Sequence, residues 1–162
     1  MGTGAGPGAP GFRVLRGALE ELGRVLVPQQ CPGCGAWDVP LCDACRAGLL
    51  APPRRVERHA PRLDDVLHGP LPTWAVATYA GPVQAAVVAW KDRGRGDLGP
   101  VLQGVLRSAA STVAPVLLAA TAGQEVLVVP VPSTAGARRR RGGDLVGALA
   151  MAAARGLRGA GQ

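Results

Sequence analysis

The sequence predicts an α/β protein in which an N-terminal helix and a small four-cysteine knuckle precede a domain of alternating helices and strands. All four cysteines lie between positions 31 and 45, as two C-x-x-C pairs. Apolar residues recur at helical spacing before these pairs. After residue 73, helical patterns alternate with β-branched runs, which is the order typical of α/β domains.

The two cysteine pairs predict a metal site. Cys31 and Cys34 form one pair and Cys42 and Cys45 form the other, so the four thiols belong to one local set. Two such turns place four thiolates around one tetrahedral ion at the bond length of about 2.3 Å that zinc prefers. Because four thiolates leave no position open for water, we expect structural rather than catalytic Zn²⁺. Its binding would supply on the order of 10 kcal/mol of folding free energy to so small a segment.

Disulfides, a redox pair and another metal are the alternatives. Disulfide frameworks belong to secreted proteins, and no charged segment, apolar segment and cleavage site precede these cysteines. A redox C-x-x-C would need only one pair in a βαβ setting. His59 and His68 are further candidate ligands, but four thiolates already complete the shell. The predicted location is cytoplasmic.

Charge is distributed unevenly along the chain. The 162 residues carry a formal net charge of +7, and residues 125–162 account for +4 of it. This positive charge is centred on the consecutive residues Arg138 to Arg141. An anionic partner is therefore expected to dock near this arginine run. The longest uncharged run, 108–124, is short for a membrane span and contains Pro115, so no transmembrane helix is predicted.

The N-terminal half divides into three predicted regions. Residues 1–10, mostly Gly, Ala and Pro, are expected to be a disordered tail. Residues 11–50 hold an amphipathic helix over 12–26, ended by Pro28, and the double zinc ribbon. Residues 51–72 are polar and rich in proline, as domain linkers are.

Residues 73–162 form the predicted second domain. Alternation over 74–79 predicts a strand, and Pro82 is well placed in the first turn of the helix that follows. Asp97 is the expected N-cap of a long helix, and Asp144 that of the last helix. The apolar run 126–129 is typical of a strand buried on both faces of a parallel sheet.

The order of these motifs resembles that of the ComF family. The segments that carry the resemblance are Val27-Pro28, the two cysteine pairs, Tyr79 to Val83, Trp90 to Gly94, Val128 to Pro132 and Arg140 to Asp144. The resemblance implies a double zinc ribbon joined to a type I phosphoribosyltransferase domain, with a role in competence and DNA uptake. It covers roughly residues 12 to 156.

The chain departs from the family pattern at its end. Type I phosphoribosyltransferases carry two acidic residues followed by a loop of Thr and Gly, which hold the ribose hydroxyls and the 5-phosphate. No such segment occurs before Gln162, and Asp64-Asp65 precedes Val66, Leu67, His68 and Gly69 instead. We therefore expect an incomplete phosphoribosyltransferase-like domain that is inactive alone, and Mg²⁺ only in a complete phosphoribosyl pyrophosphate site.

The loop after the 126–129 strand is the remaining part of the expected substrate site. By its position in the family it would approach the pyrophosphate of phosphoribosyl pyrophosphate, so the resemblance implies contacts from Ser133, Thr134 and Arg141. Lys91 and Arg93 are weaker candidates. The alternatives are a zinc-ribbon module that binds DNA or a DNA-uptake protein through its basic half, a truncated product without activity, and a solvated basic loop.

Overall fold

The computed structural model describes residues 29–65, 67, 69–122 and 124–159. The predicted N-terminal tail and amphipathic helix lie outside these residues, as does His68. The described part is a mixed structure of helices and two small two-stranded sheets, with the four cysteines near its start.

The segment after the cysteines contains short strands and turns. Helix α1 spans Asp43–Ala47, β1 spans Arg54–Arg55, β2 Asp64–Asp65, β3 Gly69–Pro70 and β4 Trp74–Ala75. Strand β1 pairs antiparallel with β4, and β2 pairs antiparallel with β3. Two 3-10 turns, Glu57–His59 and Pro61–Leu63, lie between β1 and β2.

Residues 51–72, which the sequence predicts to be a linker, make contacts with the first residues of the predicted second domain. The Val56 N–H donates to Thr73 O at 2.9 Å, and the Thr73 N–H donates to Glu57 Oε1 at 3.1 Å. The Arg55 guanidinium lies 4.8 Å from the ring centre of Trp74. Only the first two residues of the predicted 74–79 strand are in a strand, because their pairing partner is just the two residues of β1.

Four α-helices make up most of the remaining residues that the structure describes. Helix α2 spans Gly81–Asp92, α3 Gly99–Ala120, α4 Ala135–Arg141 and α5 Leu145–Gly159. Helix α3 continues through Pro115, so the apolar residues 113–120 form its C-terminal part. The Asp144 carboxylate accepts from the Gly147 N–H at 3.1 Å, which confirms the predicted cap of α5.

The backbones of α3 and α5 approach closely at Gly156. A Cβ atom at this position would lie 2.2 Å from Arg107 O and 2.9 Å from the Cβ of Ala110. Ala110, Ala114 and Ala152 are also buried, so small side chains line this contact. The main apolar cluster lies where α2, α3 and the end of the knuckle meet: Leu49, Ala89, Trp90, Leu98, Leu102 and Val105.

The predicted cap of α3 is wrong. A 3-10 turn, Gly96–Leu98, precedes the helix, and the Asp97 carboxylate makes no capping hydrogen bond. Instead it accepts from Arg95 Nε and Nη2, each at 2.8 Å. A bidentate, charge-assisted pair holds the carboxylate more strongly than a backbone N–H would.

The predicted parallel sheet is not formed by the described residues. From Gln124 to Thr134 the chain has neither helix nor strand, and Leu127, Val129 and Val131 are 82%, 73% and 77% exposed. A central strand needs a neighbour on each side, and no described strand lies beside this segment. An open apolar groove of about 520 Å³ remains between α2, α3 and α5, and Val128 contributes to its lining.

One stretch within the described residues, Gly96–Ala120, is long and apolar enough to cross a membrane, with a mean hydropathy of 1.4. A core helix of a soluble protein meets the same requirements, so this is weak evidence for a span. The structure is compatible with a soluble protein, and the cytoplasmic location stays a prediction.

Candidate functional site

The four cysteines converge on one point. Their sulfur atoms all lie within 4.8 Å of one another. Cys42 Sγ is 3.7 Å from Cys31 Sγ and 3.4 Å from Cys34 Sγ. A tetrahedral ion with bonds of about 2.3 Å requires sulfur separations of about 3.8 Å. The cluster therefore has the size of a four-thiolate metal site and is compatible with structural zinc.

The first cysteine pair lies in a tight turn. The Cys31 N–H donates to Ala36 O at 2.8 Å, and the Gly35 N–H donates to Cys31 O at 2.8 Å. Gln30 and Trp37 form an antiparallel bridge that closes the base of the turn. These bonds direct the thiols of Cys31 and Cys34 to the same side.

The second pair belongs to the start of α1. Cys42 is the N-cap residue, and its carbonyl accepts from the Arg46 N–H at 2.9 Å. Cys45 lies in the first turn of the helix and is buried. The helical spacing brings the Cys45 sulfur towards that of Cys42, so one turn and one helix terminus supply two ligands each.

Gly33 is the point of closest packing in the knuckle. A Cβ atom there would lie 2.6 Å from Cys45 Sγ and 2.9 Å from the Cβ of Pro82. The first contact shows that a side chain at position 33 would collide with the cysteine cluster. The second shows that the knuckle rests directly on the first turn of α2.

The thiols influence each other's ionisation. Burial raises the pKa of Cys31, but backbone N–H groups of Cys42, Cys34 and Gly33 outweigh it and lower that pKa to about 6. Burial and the thiols of Cys42 and Cys31 raise the pKa of Cys45. At Cys34 the Ala36 N–H lowers the pKa, but the thiols of Cys42 and Cys31 raise it more. Four adjacent thiolates are thus costly without a cation, and a bound divalent ion removes that cost.

Arg95 joins the knuckle to the helical region. Its Nη1 donates to Gln30 O at 2.8 Å, and its Nη2 donates to Pro40 O at 3.1 Å. The hydrogen bond with Asp97 raises the pKa of Arg95 and lowers that of Asp97, so both groups are held in their charged forms. Sequence reasoning missed Arg95; the signal was an arginine two residues before an aspartate in a Gly-rich turn.

A basic cleft lies between the C-terminal end of α2 and the end of α4. It has a volume of about 410 Å³, and Lys91, Arg140 and Arg141 line it. Arg141 Nη2 lies 3.4 Å from Asp92 Oδ1, which ties α4 to α2. Trp90 also lines the cleft, and its buried Nε1–H has no acceptor among the described residues.

The predicted anion-site residues are only partly brought together. Arg141 and Lys91 line the cleft, whereas Ser133, Thr134 and Arg93 do not. Thr134 instead caps α4, since its Oγ1 accepts from the Ala137 N–H at 3.2 Å. Arg140, a member of the arginine run, also lines the cleft, although it was not among the predicted pyrophosphate contacts.

The end of α4 explains why Arg140 and Arg141 reach the cleft together. The Gly143 N–H donates to Arg138 O at 3.1 Å, and the Gly142 N–H donates to Arg139 O at 3.3 Å. Gly142 has a left-handed conformation with φ of 71°. This Schellman motif stops the helix directly after Arg141 and turns the chain towards α5.

His59, a further candidate metal ligand, lies away from the cysteine cluster. It is exposed in the 3-10 turn Glu57–His59. Asp64 and Asp65 form strand β2 and pair with β3.

The chain was compared with known proteins. A scan against models of protein families gave no match, and comparisons with curated proteins and with solved structures gave none either. The resemblance to the ComF family therefore rests on the sequence motifs alone and stays a prediction.

Proposed function

We propose that the chain is a ComF-like, phosphoribosyltransferase-related protein in which a structural zinc knuckle supports a domain that binds a pyrophosphate-type anion. The observation that carries this proposal is the convergence of Lys91, Arg140 and Arg141 on one cleft. These residues come from two helices separated by some fifty positions, so the fold and not the arginine run alone brings them together.

The chemistry of the cleft suits a phosphorylated ligand. Arginine offers a planar fork of donors for phosphate oxygens, and lysine adds a compact positive charge. The larger apolar groove lacks such groups, and a phosphate there would lose its hydration without compensation.

The proposed activity of these residues is to bind the anion. A competence-related role comes with the resemblance and forms part of this proposal.

Calorimetric titration with inorganic pyrophosphate and with phosphoribosyl pyrophosphate tests the proposal. We expect Arg141→Gln and Lys91→Gln each to weaken binding by at least about tenfold, since one charged hydrogen bond contributes about 1.5–3 kcal/mol. Arg138→Gln is the matched control, because Arg138 lies on the same helix but outside the cleft. Equal affinity in all three variants, or no binding by the metal-loaded protein, would contradict the proposal.

A second candidate function is contact with DNA. Arg138 and Arg139 are exposed on α4 and do not line the cleft, so they suit contacts with a backbone of phosphates rather than with one enclosed anion. Binding to a duplex should then weaken steeply with salt, and Arg138→Gln should reduce the salt slope by about one unit. Affinity for DNA that is independent of salt would exclude this function.

A further inference from the structure

The guanidinium of Arg95 contacts both loops of the cysteine knuckle. Gln30, whose carbonyl accepts from Nη1 at 2.8 Å, immediately precedes Cys31. Pro40, whose carbonyl accepts from Nη2 at 3.1 Å, lies two positions before Cys42. Among the described residues, no other side chain donates hydrogen bonds to both loops. One planar group therefore bridges the two loops that carry the cysteine pairs.

Asp97 fixes the direction of that guanidinium. Its two oxygens accept from Nε and Nη2 at 2.8 Å each, and the two side chains are 23% and 27% exposed. A bidentate pair restricts both the position and the plane of the arginine fork. The remaining N–H groups are consequently aimed at the two carbonyls.

The backbone around Arg95 belongs to the wall of the basic cleft. Its neighbours Gly94 and Gly96 both line that cleft. The Arg95 N–H donates to Ala89 O at 3.1 Å, and the Leu98 N–H donates to Arg95 O at 3.2 Å. Leu98 is buried in the main apolar cluster. The turn is thus attached to α2 on one side and to the core on the other.

We propose that Arg95, oriented by Asp97, is a positioning residue that couples metal retention in the cysteine cluster to the conformation of the basic cleft. The metal holds the two loops at their ligand geometry, and the loops present two carbonyls to Arg95. When the metal leaves, the loops separate, Arg95 loses these acceptors, and the turn that carries Gly94 and Gly96 loosens. The part that concerns anion binding rests on the proposed function; the part that concerns metal retention does not.

Metal retention is measured as transfer of zinc from the loaded protein to a coloured chelator. Removing an outer group that orients metal ligands typically costs 10–100-fold in metal affinity. We expect a loss in this range for Arg95→Met and a smaller one for Asp97→Asn, which leaves the guanidinium in place. Arg95→Lys should restore little, because an ammonium cannot reach both carbonyls as a fork does.

Arg93→Met is the matched control for these variants, because Arg93 is exposed two positions away and does not line the cleft. It should retain zinc as the unsubstituted protein does. Circular dichroism of each variant checks that α3 and α5 are folded. Equal zinc retention in Arg95→Met and Arg93→Met would overturn the proposal.

Coupling to the cleft is measured by amide hydrogen exchange. On chelation of the metal, the amides of residues 95, 96 and 98 should exchange faster, while those in the middle of α3 should not change. Unchanged exchange at residues 95–98 would overturn the coupling.

Pyrophosphate titration before and after chelation adds the ligand readout, and we expect weaker binding after chelation. If the metal-loaded protein binds no pyrophosphate, the proposed function fails, while zinc transfer and hydrogen exchange still decide the role of Arg95. If pyrophosphate binds equally well with and without metal, the coupling fails and the proposed function stands.

Discussion

The cysteine knuckle (residues 29–50) and the helix pair α3–α5 are held together in different ways. In the knuckle, the buried hydrophobic residues are Cys31, Cys45 and Leu49, and two of these are candidate metal ligands. The helix pair packs along most of its length through small buried side chains and a close backbone approach. A segment with so little apolar burial depends on its metal ligands for stability. The stability of the helix pair depends instead on close packing of side chains and backbones.

Metal removal is expected to show the difference between the knuckle and the helix pair most clearly. Chelation should unfold the knuckle, because a structural Zn²⁺ contributes on the order of 10 kcal/mol at such a site. The helix pair should remain folded, so circular dichroism at the helical minimum should fall only slightly while exchange of amides 31–46 becomes fast. Simultaneous loss of both regions would show that the knuckle is not an independent unit.

Removal of a single metal ligand should also prevent metal binding. Cys45→Ser should abolish stoichiometric metal binding, measured by elemental analysis of the reduced, purified protein. Ala44→Ser is its control, since it adds the same hydroxyl one position away, at an exposed residue, and keeps all four thiols. A full equivalent of metal in Cys45→Ser would contradict the four-thiolate site.

Gly156→Ala tests the helix pair. The added Cβ would meet Arg107 O at 2.2 Å, a backbone atom that cannot turn aside. We expect a loss of about 1–3 kcal/mol in the free energy of unfolding measured with urea, as for other overpacked contacts. Metal content should not change, because the clash lies outside the knuckle.

Gly104→Ala is the control for this substitution. Gly104 is in α3, the helix that α5 packs against, but a Cβ there would meet nothing within 4 Å. Alanine should therefore stabilise the protein by about 0.5–1 kcal/mol through its helix propensity. Destabilisation by both variants would indicate that glycine is needed in α3 and α5 for a reason other than close approach.

Gly33→Ala is the corresponding test in the knuckle. Its Cβ would lie 2.6 Å from Cys45 Sγ, so the turn must shift and carry ligands with it. The expected result is metal affinity lower by roughly tenfold, comparable with other disturbances next to a metal shell. Gly48→Ala, whose Cβ would be 3.4 Å from a methyl of Val83, should keep its metal. Equal affinities would mean that the turn adjusts without moving the thiols.

Local signals predicted the knuckle better than the second domain. The two C-x-x-C pairs placed all four candidate ligands, because a metal site within fifteen residues is specified by spacing alone. Helix α2 and the cap of α5 also followed from nearby residues. By contrast, the predicted strand 126–129 depends on neighbours that the described residues do not supply, and its exposed Leu127 and Val129 show the consequence.

Polar side-chain contacts account for the remaining differences between the predicted and the observed structure. Asp97 has the sequence features of a helix cap, but Arg95 binds its carboxylate and directs the pair towards the knuckle. Ser133 and Thr134 were expected beside Arg141, but Thr134 caps α4. Short polar side chains have a local alternative at a helix start, and only the folded arrangement reveals which contact they make.

The smallest expected effect is at the start of α5. The Asp144 carboxylate accepts from the Gly147 N–H at 3.1 Å, and Asp144→Ala removes that acceptor. We expect a loss of about 1 kcal/mol in the urea unfolding free energy, and little loss in Asp144→Asn, which caps nearly as well. Zinc transfer to a chelator should be unchanged in both variants, because the cap acts on the helix pair and not on the knuckle. Faster zinc loss in Asp144→Ala would show that the stability of the knuckle depends on that of the helix pair. The two regions would then differ in the contacts that hold each together, but not in their response to a destabilising substitution.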